Sequence, residues 1–120
     1  MIDLKGKRAL VCGGTSGIGK ATVNALRENG ADVVILSRSA SGSGTISCDL
    51  EDLDSLKSLV SKEIEVNGPF HILVNNSGGP PSGPLISAEP YDFEKAFLRH
   101  VLASQTLVQL LFEGMKSLNY

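Results

Sequence analysis

Short, continuous apolar runs alternate with stretches of helical periodicity along this sequence. A strand that is buried on both faces of a sheet is apolar throughout, whereas a half-buried strand alternates between apolar and polar residues. We therefore predict buried strands at residues 9–12, 32–37, 45–48 and 70–74. Apolar side chains at helical spacing predict helices over residues 17–29, from the acidic run at 49–54 to residue 67, and over residues 91–118.

The alternation of strands and helices predicts an α/β fold with a parallel sheet and right-handed crossovers. Segments rich in serine, glycine or proline at residues 39–44 and 78–84 predict irregular loops. The last predicted helix is apolar over more than one face. We expect its main apolar stripe to consist of Phe93, Phe97, Val101, Ser104, Val108, Leu111 and Met115, flanked by Leu102, Leu107, Leu110 and Phe112.

Composition places the chain among folded proteins and argues against nucleic acid or a membrane surface as the main partner. Its 120 residues are 42% hydrophobic and 20% charged, with a formal net charge of −2 and no basic run. These values fit one domain over residues 1–120. Neither a spanning segment of about 20 apolar residues nor a signal peptide is recognisable. Cys12 and Cys48 suit free thiols in a reducing compartment, so we expect a cytoplasmic protein without a metal site.

The segment from Cys12 to Ala21 joins the first predicted strand to the first predicted helix and is rich in glycine. Backbone N–H groups at a helix N-terminus favour phosphate, and glycine leaves room for it. Read as a P-loop, the segment supplies Gly14, Gly19 and Lys20, but Ala21 then lacks the hydroxyl that a P-loop offers to magnesium. The P-loop interpretation fails on this chemistry.

The spacing of Gly13, Gly17 and Gly19 agrees with a different phosphate-binding loop, in which a side chain at Gly17 or Gly19 would occupy pyrophosphate space. With the pair Asp49-Leu50 and the run at residues 75–78, each at the end of a predicted strand, it resembles the short-chain dehydrogenase/reductase family. The resemblance implies a doubly wound Rossmann sheet of strand order 3-2-1-4, with a dinucleotide at the carboxyl ends of the strands. It places cofactor contacts at Gly13, Gly14, Thr15, Ser16, Gly17, Ile18, Gly19, Asp49, Leu50, Asn76 and Gly78.

The end of the second predicted strand bears on which nicotinamide cofactor is bound. Rossmann domains that bind NAD place a carboxylate there, whereas a nearby arginine accommodates the 2′-phosphate of NADP. This chain has the uncharged Ser37 followed by Arg38. We therefore expect both residues to bind NADP rather than NAD. The alternative is that Arg38 is only a solvated surface charge.

The resemblance also implies a catalytic serine and a Tyr-x-x-x-Lys pair, and neither stands at the expected place in these 120 residues. Tyr91 and Lys95 have the spacing but lie at the start of a different helix, so we treat them as a false match and expect no turnover by this chain alone. His100 stands where the family places a relay asparagine. It could take part in a proton relay, or it could be a histidine of the helix surface or of an interface, and we favour the second interpretation. Cys12 and His71 also depart from the family pattern, and we expect weaker local hydrogen bonding at both.

Together these features predict the cofactor-binding part of an oxidoreductase that transfers hydride between NADP(H) and a carbonyl or alcohol substrate. The run at residues 76–81 is similar to that of 3-oxoacyl-carrier-protein reductase-like members. The alternative is a non-catalytic dinucleotide-binding module, or one part of a split protein. In this family the long helix commonly packs against its counterpart in another subunit, so we expect a homo-oligomer through residues 91–118. We also expect self-association, because the fourth strand would lie at an open edge of the sheet.

Overall fold

The computed structural model describes residues 2–15, 17–77 and 83–120. Its strands are β1 (Arg8–Cys12), β2 (Asp32–Ser37), β3 (Thr45–Ser47) and β4 (Ile72–Val74). They form one parallel sheet in the order β3-β2-β1-β4, which confirms the predicted topology. Each observed strand begins and ends within two residues of its predicted run.

The helices that connect the strands cover both faces of the sheet. They are α1 (Gly17–Glu28), α2 (Leu53–Asn67), α3 (Pro90–Phe97) and α4 (Ala103–Leu118), with a short 3₁₀ turn at Leu85–Ser87 before α3. None of the helices in the described ranges is long and apolar enough to cross a membrane. The arrangement is the doubly wound α/β fold that the sequence predicts.

Side chains of β1 enter two separate cores, because successive residues of a strand point to opposite faces of the sheet. Leu10 and Cys12 belong to the core beneath α2 and α4, and both are almost fully buried. Ala9 and Val11 belong to the smaller core beneath α1, where they meet Val23. Burial on both faces explains why this strand reads as a continuous apolar run.

The C-terminal helical stretch differs from the single helix predicted for residues 91–118. A π-helical segment, Leu98–Leu102, separates α3 from α4. Only part of the expected apolar stripe is buried: Phe93, Phe97 and Val101 are about half exposed. The residues that α4 buries are Ala103, Thr106, Leu107 and Leu111, of which Leu111 belongs to the expected stripe and Leu107 flanks it.

Asp52 fixes the start of α2. Its carboxylate accepts hydrogen bonds from the backbone N–H of Ser55 (3.1 Å) and from the Ser55 hydroxyl (2.7 Å). These hydrogen bonds hold the pKa of the Asp52 carboxyl below its ordinary value, first through the hydroxyl and then through the backbone N–H. The cap places the loop before α2, and with it the acidic residues 49 and 51, at the carboxyl edge of the sheet.

We expect Asp52→Ala to lower the melting temperature, because it removes an N-cap. A carboxyl whose pKa is lowered by folding stabilises the protein above its unfolded pKa, and this stabilisation is lost as the pH falls through the folded pKa. The gap in Tm between the wild type and the variant should therefore shrink between about pH 7 and pH 3. Thermal melts followed by circular dichroism test this. Asp54→Ala removes the same charge from the same turn, and an equal loss there would contradict the assignment of the cap.

Candidate active site

A cleft of about 230 Å³ opens at the carboxyl edge of the sheet. In a parallel sheet the residues that follow each strand meet at one edge, however far apart they lie in sequence. All four strand ends and the π-helical segment contribute walls to this cleft. The lining residues are Gly13, Leu36, Ser37, Arg38, Cys48, Asp49, Leu50, Asn76, Ser77 and Arg99.

The loop after β1 is held by a close approach between its first and last glycines. A Cβ atom on Gly19 would lie 1.9 Å from the carbonyl oxygen of Gly13, so no side chain fits there. The Asn76 side-chain amide donates to the carbonyl oxygens of Cys12 (3.3 Å) and Gly13 (3.4 Å). Asn76 therefore fastens the end of β4 to the end of β1 and shapes the floor of the cleft.

Gly14 and Gly17 have different roles in this loop. Gly17 has a φ of +56°, and a Cβ there would meet nothing within 4 Å. That space lies at the N-terminus of α1, where backbone N–H groups favour an anion. Gly14 faces inward, since its Cβ would lie 2.8 Å from Val23 and 2.9 Å from Ile35. Of the four glycines of this loop, only Gly17 leaves open space. Gly19 is required by the loop itself, and its contribution to a pyrophosphate site stays a prediction.

Hydroxyl groups cluster beside Arg38 at the end of β2. The Oγ atoms of Ser37 and Ser39 are 3.3 Å apart, and Ser39 Oγ lies 3.5 Å from Thr15 Oγ1. Arg38 Nη1 lies 3.5 Å from Asp49 Oδ2, with 68% of the Arg38 side chain exposed. The sequence analysis missed Ser39 because it lies in a segment whose composition predicts only a loop. Its position two residues after Ser37, at the end of the same strand, could have indicated it from the sequence.

A second arginine lines the cleft, and the sequence analysis missed it. Arg99 Nη2 donates to Glu51 Oε2 at 2.8 Å, and both side chains are largely buried. Lys95 Nζ lies 3.9 Å from the other oxygen of Glu51. Tyr91, by contrast, is exposed on α3, which agrees with treating Tyr91 and Lys95 as a false match. Lys95 and Arg99 are four residues apart and therefore lie on one face of a helix. This spacing, together with the acidic loop before α2, could have indicated Arg99 from the sequence.

His100 lies in the π-helical segment and contacts the end of β4. Its Nδ1 atom is 2.7 Å from Ser77 Oγ, and both residues are half-buried. The favoured interpretation, a histidine of the helix surface or an interface, does not describe this contact. The pair joins the helical stretch to the strand end beside the cleft. A proton relay through His100 stays a prediction.

Both cysteines are buried free thiols, as expected. Burial raises the pKa of Cys12 to about 12. Burial also raises the pKa of Cys48, with smaller contributions from the carboxylates of Asp52 and Asp49. Both thiols are therefore protonated at neutral pH and act as packing groups, although Cys48 forms part of the cleft wall.

The weaker hydrogen bonding expected at His71 is not observed. Its Nδ1 atom accepts a hydrogen bond from the backbone N–H of Arg8 at 3.0 Å. Burial, followed by the charges of Lys7 and Arg8, lowers the pKa of His71. A neutral ring keeps this nitrogen available as an acceptor at neutral pH. The carbonyl of Cys12 is likewise hydrogen-bonded, to Asn76.

The structure brings six of the predicted cofactor residues together in the cleft. These are Gly13, Ser37, Arg38, Asp49, Leu50 and Asn76. Thr15 adjoins them through Ser39, Gly14 and Gly19 lie inside the loop, and Ile18 is 79% exposed on α1. Ser16 and Gly78 lie outside the described residues. In the part of the chain that the structure describes, no three side chains form a group that could hold a metal ion.

Comparison with known proteins agrees with this geometry. The profile of the short chain dehydrogenase family matches residues 7–119. The chain belongs to this family. This short-chain dehydrogenase chain is 32% identical over 127 residues to a probable oxidoreductase of Streptomyces lividans. The alignment covers 96% of the chain and 42% of that relative. It is also 32% identical to L-xylulose reductase of Mesocricetus auratus, covering 95% of the chain and 49% of that enzyme.

A solved structure superimposes closely on this short-chain dehydrogenase chain. A blue fluorescent protein from a metagenomic library, in complex with NADPH, matches with a TM-score of 0.82 and 30% identity. The match covers 94% of this chain and 53% of that one. The chain thus spans about half the length of the relatives that it matches.

Substitution by alanine should lower the free energy of unfolding by different amounts at Gly17 and at Gly19. Gly17→Ala should cost about 1–2 kcal/mol, the strain of a left-handed residue with a Cβ. Gly19→Ala should cost more than about 3 kcal/mol, because a backbone oxygen cannot move aside as a side chain can. Urea denaturation measures both values. Gly42→Ala, also at positive φ in open space, is the control for strain alone; similar losses at all three sites would refute the packing role of Gly19.

Proposed function

We propose that the cleft binds the adenosine half of NADP(H) and that Arg38 contacts its 2′-phosphate. The observation that carries this proposal is the group at the end of β2, where the cationic Arg38 stands beside the hydroxyls of Ser37 and Ser39. An uncharged Ser37 repels no phosphate, and the planar fork of a guanidinium matches phosphate oxygens. The NADPH complex of the related blue fluorescent protein supports the same cofactor.

The ion pair between Arg38 and Asp49 does not prevent this role. Both side chains are substantially exposed, and an exposed pair at 3.5 Å contributes little because water screens it. A phosphate carries more charge than a carboxylate and accepts more hydrogen bonds. Arg38 can therefore exchange Asp49 for the 2′-phosphate at small cost.

The remaining parts of a dinucleotide fit the surroundings of the cleft. The open space at Gly17, before the N-terminus of α1, suits a pyrophosphate. The ends of β1 and β4, with Ser77 and His100, lie farther along the same edge and suit the nicotinamide half. A bound nicotinamide supplies hydride chemistry, and we propose that the whole protein transfers hydride between NADP(H) and a carbonyl or alcohol substrate. In that reaction the hydrogen bond between Ser77 and His100 would orient both side chains toward the substrate side of the site.

We expect Arg38→Ala to weaken NADPH binding about tenfold or more, the loss of one charge-assisted contact. NADH binding should change less than about twofold, because NADH has no 2′-phosphate. Fluorescence or calorimetric titration of the purified chain with both cofactors measures the difference. Lys57→Ala removes an exposed cation from α2 and should change neither affinity. Equal losses for NADPH and NADH in Arg38→Ala would overturn the assignment.

We further propose that a second copy of the chain covers the apolar face of α3, the π-helical segment and α4. Its exposed side chains lie at spacings of four and seven residues, so they form one continuous strip. They are Phe93, Phe97, Val101, Val108 and Phe112, each 47–56% exposed. Side chains of this size stabilise an interface by about 1.5–3 kcal/mol each when fully buried, and a strip that pairs with itself suits a twofold dimer.

The double substitution of Phe97 and Phe112 by glutamate should shift the chain from a dimer or larger species to a monomer. The charges would have to be buried without partners in the interface. Sedimentation velocity at tens of micromolar measures the change. Substitution of Leu59 and Val66 on α2 by glutamate makes the same chemical change elsewhere and should leave the distribution unaltered. A wild-type chain that sediments as a monomer would refute the proposal.

A further inference from the structure

The loop between β3 and α2 carries two carboxylates, and each holds one arginine at the cleft. Asp49 pairs with Arg38 at 3.5 Å, and Glu51 pairs with Arg99 at 2.8 Å. Leu50 lies between the two acids and lines the cleft. Arg38 directly follows β2, whereas Arg99 lies in the π-helical segment, so two different elements bring an arginine to the same loop.

The two ion pairs differ in strength. The Arg38 side chain is 68% exposed, whereas Arg99 is 26% exposed and its partner Glu51 only 17% exposed. The buried pair is screened less by water and has the short distance of a charge-assisted hydrogen bond. Lys95 adds a second positive charge near Glu51 at 3.9 Å. Glu51 therefore holds Arg99 in place, whereas Arg38 is free to exchange its partner.

Arg99 and Leu50 also border a narrower crevice beneath the cleft, together with Asn76 and Ala103. A flat guanidinium beside an aliphatic side chain offers a surface on which an aromatic ring can lie. Arginine stacks on aromatic rings and on nucleobases through its planar, weakly hydrated cation. Since Glu51 already offsets the charge of Arg99, this residue is better suited to a neutral ring than to a phosphate.

We propose that Arg99 is a cofactor-binding residue that forms one wall of the adenine pocket, and that Glu51 positions it. This inference rests on the proposed binding of NADP(H) in the same cleft. It assigns the two arginines different parts of the adenosine group. Arg38 contacts the 2′-phosphate, and Arg99 contacts the base, which NADPH, NADH and 5′-AMP share.

Titration of the purified chain with NADPH, NADH and 5′-AMP separates the two roles. Arg99→Ala should weaken all three ligands by about five- to tenfold, as expected for loss of a cation–π contact. Arg99→Lys keeps the positive charge but lacks the planar guanidinium. Compared with Arg99→Ala, it should therefore recover less than half of the lost affinity on a logarithmic scale. Glu51→Gln should weaken all three ligands to a smaller extent, because an amide still accepts a hydrogen bond from Arg99 without its charge.

Lys95→Ala is the matched control, since it removes the other cation beside Glu51 without touching the cleft. It should leave all three affinities within about twofold of the wild type. Thermal melts of each variant identify a loss that comes from unfolding, and Arg99→Lys serves as the test if Arg99→Ala does not fold. Unchanged affinities in both Arg99 variants, full rescue by lysine, or a loss confined to NADPH would each overturn the role of Arg99. If the wild-type chain binds NADPH no better than a Gly17→Val variant, the proposed function itself is refuted.

Discussion

The approach of Gly19 to the carbonyl oxygen of Gly13 is the constraint on which the site depends. It brings the first turn of α1 against the end of β1 so closely that a single Cβ would lie 1.9 Å from that oxygen. The Asn76 amide then donates to the same carbonyl and so ties β4 to this contact. With β1, α1 and β4 fixed at one point, the space at Gly17 stays open in front of the helix N-terminus. The contact between Gly13 and Gly19 thereby shapes the loop in which we propose that a phosphate binds.

Around that fixed centre, the acidic loop before α2 organises the charges of the cleft. Its position follows from the N-cap made by Asp52, which sets where the loop ends and the helix begins. Asp49 and Glu51 then pair with two arginines, one after β2 and one in the π-helical segment. The exposed pair can dissociate at small cost, whereas the buried pair is an element of structure. One short segment therefore provides both an exchangeable contact and a fixed wall.

The C-terminal helical stretch shows where prediction from periodicity stops. Its apolar residues were recognised on more than one face, but periodicity does not say which of them the rest of the fold covers. Phe97 and Val101 are about half exposed, whereas Leu107 is buried. A periodic pattern predicts a helix and its apolar faces, but it does not predict a π-helical segment within that helix. The π-helical segment carries Arg99, which lines the cleft, and His100, which contacts the end of β4. The part of the helical stretch that periodicity did not predict is therefore the part that contributes to the site.

The sequence by itself determined the positions of the strands, the parallel sheet and the edge at which the site lies. Those features follow from burial on both faces of each strand and from glycine and polar residues at strand ends, which are local and repeat along the chain. Only the tertiary structure decided which side chains meet. Ser39 joins Thr15, Arg99 joins Glu51, and Ser77 joins His100 across 23 to 48 positions. Such pairs depend on the packing angles of whole elements, and no spacing within a single segment encodes them.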